Sequence, residues 1–189
     1  AAASVSRRKS PRVLVPAASV MVVADAAVLW LSRPLPPPRV LQTTQLTRDG
    51  IPKNNLLTDG SRIFIGEVIG QRYFVVQASA TGGETSPLSN VPSNFYVFDI
   101  SPDNSQFLAI DYGNAPLLSS GDHQVWIIPL PSGTPRPLVN VMANCVGWSP
   151  DGKRFAFCKG QEIWLADSDG SNPRKLIVLS GNPAFLRFS

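Results

Sequence analysis

The sequence contains one histidine, His123, and only two cysteines among its 189 residues. A histidine-based metal site or a serine, histidine and aspartate triad would have to be built around that one residue, which lies in the polar segment 119–124. The sequence therefore predicts no catalytic residues and no metal ligands.

Motifs for phosphate and calcium binding are missing as well. Gly82 and Gly83 are not followed by a helical pattern, so no phosphate-binding loop is indicated. The segment 167–170 has its glycine at the fourth position instead of the sixth position of a calcium loop, and a hairpin turn is the favoured interpretation. No cofactor is predicted.

Positive charge is distributed unevenly along the chain. Residues 1–39 carry six basic side chains against Asp25 alone, whereas residues 40–189 carry 11 basic and 12 acidic side chains. The net charge of +4 therefore arises in the amino-terminal part. Residues 40–189 have no excess of basic residues for phosphates, and no nucleic acid is expected to bind there.

The basic residues flank one long apolar segment. Residues 13–32 contain a single charged residue, Asp25, and are long enough to cross a bilayer as a helix. The basic residues on its amino side favour a cytoplasmic location for that side. We expect a basic cytoplasmic flank at 1–12, a transmembrane helix at 13–32, and an extracytoplasmic, periplasmic location for the rest of the protein.

A cleaved signal peptide is the alternative, and it would leave the protein secreted. Its charged region would be 7–12, its apolar core 13–23, and its cleavage site 24–26. This alternative accounts for Asp25, which costs about 2.5 to 3.5 kcal/mol in the middle of a membrane helix. In both cases the proline-rich segment 33–39 predicts an extended linker.

A turn motif recurs three times in the rest of the chain. Its aspartates are 44 and 48 residues apart, which is the spacing of four-stranded propeller blades. Proline, aspartate and glycine at successive positions favour a tight hairpin turn. The copies are Asp59 and Gly60; Ser101, Pro102 and Asp103; and Ser149, Pro150, Asp151 and Gly152.

Apolar runs flank each turn, and an aromatic strand, a glycine turn and a short outer segment follow it. Each repeat therefore predicts four strands, from an inner strand to an outer one. We predict an all-β domain over 40–189, an open arc of about three propeller blades. The blades are expected at about 51–90, 91–140 and 141–180, with the start of a fourth at 181–189.

The third repeat resembles the TolB-like propeller repeat, a relative of the WD type. The resemblance is carried by Trp148, the turn and lysine at 149–153, Ile163 and Trp164, and the segment 169–176, and it extends in weaker form over 45–189. It implies a propeller that binds a protein or a small ligand on one face. Members of the family include colicin-import and peptidoglycan-associated proteins, sensor halves of membrane-bound regulators, and propeller modules of serine peptidases.

The resemblance leaves two functions open. The first is a non-catalytic, membrane-tethered binding platform, one version of which is the sensor half of a transmembrane transcriptional regulator. The alternative is the propeller module of a serine peptidase of the prolyl-oligopeptidase type, with a hydrolase domain elsewhere in the protein.

The connection at 112–123, between the second and third strands of the middle repeat, is long for a hairpin. Long loops on a rigid scaffold often carry binding residues. We interpret this segment as a candidate partner loop, with a disordered insertion as the alternative. Its candidate residues are Tyr112, Asn114, Leu117, Asp122 and His123.

The two cysteines lie on the strands that the third turn joins. If Ser149 faces Arg154, Cys145 and Cys158 stand directly opposite each other, within disulfide range. If Ser149 faces Lys153 across a three-residue bulged loop, the cysteine side chains point to opposite faces. The turn residues favour the second register, so two free buried thiols are predicted, with a disulfide as the alternative.

Overall fold

The computed structural model describes residues 45–188, together with Val28 and Trp30. The chain divides into two units, Ala1–Thr43 and Thr44–Ser189. In the first unit Val28 and Trp30 are helical and exposed. The predicted segments 1–12, 13–32 and 33–39 otherwise lie outside the described residues. Among the described residues there is no helix with both the length and the apolar character that crossing a membrane requires.

Twelve strands and no helix form between residues 45 and 188. They make three four-stranded antiparallel sheets, each ordered as its strands follow in the chain. The first sheet is β1 (Lys53–Thr58), β2 (Arg62–Ile69), β3 (Arg72–Ser79) and β4 (Ser86–Pro87). The second is β5 (Phe95–Ile100), β6 (Gln106–Asp111), β7 (His123–Pro129) and β8 (Arg136–Ala143). The third is β9 (Cys145–Trp148), β10 (Arg154–Lys159), β11 (Glu162–Asp167) and β12 (Arg174–Val178).

The prediction of an all-β domain of four-stranded units is thus confirmed over residues 45–188. The sheets lie side by side, since β5 contacts both β1 and β9, and these three are the first strands of their sheets. In β6 of the middle sheet the consecutive residues Phe107, Leu108, Ala109 and Ile110 are all 0% exposed. Because successive side chains of a strand point to opposite faces, both faces of the sheet are covered at this strand.

The third turn is closed by a serine side chain. The Ser149 amide donates to the Arg154 carbonyl at 2.9 Å, and the Arg154 amide donates to Ser149 Oγ at 3.0 Å. Within the turn the Gly152 amide donates to the Ser149 carbonyl at 2.9 Å, and Gly152 has a φ of 67°. Residues 150–153 therefore form a four-residue loop.

The second turn is built in the same way. The Ser101 amide donates to the Gln106 carbonyl at 2.9 Å, and the Gln106 amide donates to Ser101 Oγ at 3.1 Å. Asn104 stands where the third turn has glycine, and its φ is 58°. Asparagine enters this left-handed region more easily than most residues, which explains why the motif survives the change.

The prediction that Ser149 faces Lys153 in the third hairpin is wrong. Trp148 pairs with Phe155 and Cys145 pairs directly with Cys158, at a Cα separation of 5.1 Å, and the two form a disulfide. The prediction of two free thiols is wrong with it. The physical reason is that Ser149 Oγ accepts the Arg154 amide, which makes Arg154, and not Lys153, the residue that closes the hairpin.

The core between the sheets is aromatic and aliphatic. Phe64 of the first sheet meets Phe107 of the second edge to face, with ring centroids 4.9 Å apart. Between the second and third sheets, the Trp148 amide donates to Asp99 Oδ2 at 2.8 Å. On the other face of the first sheet, Leu46 packs against a smaller buried cluster of Ile63, Ile65, Val76 and Ala78.

The segment 182–188 passes over the third sheet. The Leu186 backbone lies so close to Gly147 that a Cβ added at Gly147 would be 2.9 Å from the Leu186 carbonyl oxygen. The Arg187 guanidinium forms an ion pair with the Asp99 carboxylate at 2.7 Å. The inner strand predicted within 181–189 is not formed over residues 181–188. A strand requires a ladder of backbone hydrogen bonds, and no described strand pairs with this segment.

Candidate binding surface

The two ends of the sheets differ in character. One end carries the short turns at 59–61, 101–105 and 149–153, and we call it the turn face. The other end carries the connections between second and third strands, and we call it the loop face. Two of those connections, at 70–71 and 160–161, have only two residues, whereas the third runs from 112 to 122. The long connection therefore dominates the loop face.

The long connection is held by backbone and side-chain hydrogen bonds. The Ala115 amide donates to the Tyr112 carbonyl at 2.8 Å, and the Ser119 amide donates to the Pro116 carbonyl at 3.1 Å. Asn94, from the link between the first two sheets, donates through Nδ2 to the Gly113 carbonyl at 2.7 Å. The loop is thus a series of turns fixed at its base to the neighbouring sheet.

His123 begins β7 and its side chain lies within this loop. Its Nε2 is 3.3 Å from Ser119 Oγ, and its ring centroid is 4.5 Å from that of Tyr112. Burial, with a smaller contribution from Tyr96, raises the pKa of Tyr112 to about 12. A hydroxyl beside an imidazole has the composition of a nucleophile and base pair, but such a pair needs a third group that orients the base. No carboxylate among the described residues hydrogen-bonds to His123.

One concavity lies between the long loop and the first sheet. It has a volume of about 510 Å³, and Val68, Arg72 and Asn94 line it on one side, with Asn114 and Leu117 on the other. Leu117 is packed against the core, whereas Asn114 is exposed. With Gln71, this concavity brings a guanidinium and three side-chain amides together beside the loop.

A second concavity, which we call the notch, lies on the opposite side of the loop. It has a volume of about 420 Å³, and its walls come from 118–122 and from 182–185. Asn144, between β8 and β9, and Gly160, in the turn between β10 and β11, also line it. Asp122 is fixed at the notch because its Oδ1 accepts the Gly160 amide at 3.1 Å.

The turn face carries carboxylates that are engaged within their own turns. Burial opposes ionisation of Asp59, but hydrogen bonds from Arg62 and Ser61 outweigh it and lower its pKa to about 2. The hydroxyl of Ser101 lowers the pKa of Asp103, and the hydroxyl of Ser149 lowers that of Asp151. These aspartates stabilise turns. In the described part of the chain no three histidine, cysteine or acidic side chains come together as metal ligands.

A larger concavity, of about 690 Å³, lies between 45–49 and 81–85. Both of its walls are segments without strand structure, so it lacks the rigid support that the loop face has.

The structure thus brings the predicted residues together unevenly. Tyr112 and His123 pack on each other, Asp122 lines the notch, and Asn114 and Leu117 line the concavity on the other side. Sequence reasoning missed the residues that other segments contribute, which are Arg72, Asn94, Asn144 and Phe185. No local pattern marks them, because they reach the loop only through the packing of the sheets.

Comparison with known proteins identifies the fold. No protein-family model and no curated protein matches the chain. Among solved structures, TolB from Acinetobacter baumannii has a TM-score of 0.54 at 16% identity, covering 67% of this chain and 32% of its own. A chain of the nidogen/laminin complex has a TM-score of 0.52 at 15% identity, covering 69% and 49%.

A prolyl endopeptidase has a TM-score of 0.52 at 13% identity, covering 71% of this chain and 23% of its own. The chain thus spans 23% to 49% of the lengths of these three structures. At such identities the likeness concerns the fold alone. With three antiparallel four-stranded sheets side by side, the chain has the fold of a TolB-like β-propeller.

Proposed function

We propose that this propeller is a non-catalytic binding platform and that its loop face holds the partner. The observation that carries the proposal is the ordered loop 112–122, which rises from the buried strand β6 and has a concavity on each side. Concave surfaces on loops that a rigid scaffold positions are where proteins usually bind their ligands.

A protein partner is favoured over a small ligand. Both concavities are open, and the loop 112–122 separates them. One extended partner would therefore contact the loop and both concavities at once. The nidogen/laminin structure, a complex of two proteins, contains a chain of the same fold, which supports a protein as the partner.

A peptide library displayed on phage tests the proposal. Selection against the protein should enrich a peptide motif, and the enriched peptides should lose binding in a variant changed on both sides of the loop, Asn114→Ala with Leu118→Gly. Matched changes on the turn face, Ser61→Ala with Lys153→Ala, should leave binding unchanged. Enriched peptides that respond only to the turn-face changes would contradict the assignment of the surface.

The absence of catalysis is part of the proposal, and Ser119 with His123 provides its test. A fluorophosphonate probe labels serines that a neighbouring base activates. We expect no labelling at Ser119, because no acid in the described part of the chain orients His123 and the pair would lack the geometry of an activated nucleophile. Labelling that disappears in His123→Ala would show that the protein is a hydrolase.

Membrane tethering rests on the charge asymmetry of the sequence around 13–32. A reporter fused after Arg39 should be active only outside the cytoplasm, and the protein should stay in the membrane fraction after a carbonate wash. A soluble protein with a new amino terminus at Ala27 would instead establish the signal-peptide alternative.

The wider assignment depends on residues beyond this chain. In a transmembrane regulator a DNA-binding domain would precede residue 1, and in a peptidase a hydrolase domain with a Gly-x-Ser-x-Gly element would accompany the propeller. The prolyl endopeptidase likeness concerns the fold and does not favour the second over the first. Reading the full-length open reading frame distinguishes the two.

A further inference from the structure

Two large apolar side chains are exposed in the notch. Leu118 is 52% exposed and Phe185 is 64% exposed, and they line the notch from the long loop and from the segment 182–185. Phe185 packs on one side against Phe98, with ring centroids 6.1 Å apart. Apolar surface that is exposed within a concavity is typical of an interaction site.

Leu118 is held in a backbone conformation that leucine rarely adopts. Its φ is 57°, in the left-handed region that glycine favours, and the same loop has glycine at 113 and 121 with positive φ. A leucine in this region is strained, and such strain is common where a side chain serves binding. The loop therefore presents Leu118 to the notch at a conformational cost.

The notch is negatively charged. Of the described residues that line it, Asp122 alone is charged at neutral pH, since Tyr112, with a pKa of about 12, stays protonated. The carboxylate of Asp122 favours a cationic group on the ligand and disfavours an acidic one.

We propose that the notch binds an extended peptide segment of a partner protein that carries an arginine or lysine beside a large apolar side chain. The apolar side chain packs between Leu118 and Phe185, and the cationic group faces Asp122. This inference rests on the proposed function and specifies the chemistry of the partner.

Synthetic octapeptides of glycine and serine with two variable central residues provide the probe. Fluorescence anisotropy should show saturable binding of the Arg-Leu peptide, with affinity at least about tenfold lower for the Glu-Leu and Arg-Ser peptides. Binding of the Arg-Leu peptide should weaken as salt is added, because part of it is electrostatic.

Variants of the notch separate its contributions. Leu118→Gly removes the apolar side chain, and glycine adopts the positive φ of this position without strain. The variant should therefore preserve the fold and weaken binding of the Arg-Leu peptide about tenfold. Asp122→Asn keeps an acceptor for the Gly160 amide and should abolish the preference for Arg-Leu over Glu-Leu. The matched controls, Leu176→Ala and Asp169→Asn, lie on other exposed surfaces and should change neither result.

The proposal is overturned if the Arg-Leu peptide does not bind, if the Glu-Leu peptide binds equally well, or if Leu118→Gly leaves its affinity unchanged. Failure here is distinct from failure of the proposed function. A library that enriches peptides of other chemistry, sensitive to the loop-face changes, would retain the binding platform and reject the cationic, apolar peptide.

Discussion

A single hydroxyl determines how each of the two complete turns is closed. Ser101 and Ser149 are 3% and 4% exposed, and each Oγ accepts the amide of the residue five positions later. Each hydroxyl also donates to the carboxylate two positions later, Asp103 or Asp151. The serine of this repeat is therefore a structural residue that fixes the register of the hairpin.

Replacing Ser149 by alanine should destabilise the protein by about 1 to 2 kcal/mol. The Arg154 amide would lose its acceptor in a part-buried position, and Asp151 would lose a donor. Urea unfolding gives the change in free energy. Ser180→Ala, at an exposed position, serves as the control and should stay within about 0.5 kcal/mol of the parent protein. A Ser149→Ala protein as stable as the control would refute the role of the hydroxyl.

Asp59 predicts a dependence of stability on pH. Since its folded pKa, about 2, lies below the ordinary aspartate pKa of 3.8, ionised Asp59 stabilises the fold above about pH 4 and the contribution is lost as the pH falls toward 2. Asp59→Asn should therefore be less stable by about 1 kcal/mol at pH 6, and the difference should shrink toward pH 2. Urea unfolding of both proteins across this range measures it. A difference that is independent of pH would contradict the assigned cause.

At the scale of strands and hairpins, much of the structure follows from local pattern. The apolar runs at 95–100 and 145–148 are strands with the bounds Phe95–Ile100 and Cys145–Trp148. The register of the third hairpin did not follow, because a proline, aspartate and glycine turn is compatible with loops of three or four residues. The choice depends on where Ser149 Oγ points, and the residue pattern does not contain that information.

The β9–β10 hairpin has a direct chemical test. Thiol titration in denaturant without reductant should detect no reactive group, because Cys145 and Cys158 are joined. Replacing both by alanine should cost about 2 to 4 kcal/mol in the free energy of unfolding, mainly through the unfolded chain. Two titratable thiols per chain would instead support the register in which Ser149 faces Lys153 and both cysteines are free.

At the scale of the whole molecule, the sheets create the proposed binding surface by assembling distant residues. Arg72, Asn114 and Asn144 come from different parts of the chain and meet around one loop. The loop itself could be recognised from its length between two predicted strands. Its concavities could not, because they depend on the packing of three sheets and on the path of 182–185.

We propose that the loop face, and not the turn face, binds the partner. Hydrogen exchange followed by mass spectrometry, with and without a peptide enriched from the library, tests this proposal. Binding should slow exchange in 112–122 and in at least one of the flanking segments 70–72 and 182–185. Exchange in 101–105 and 149–153 should not change. Protection confined to those turns, with none in 112–122, would show that the peptide binds the turn face instead.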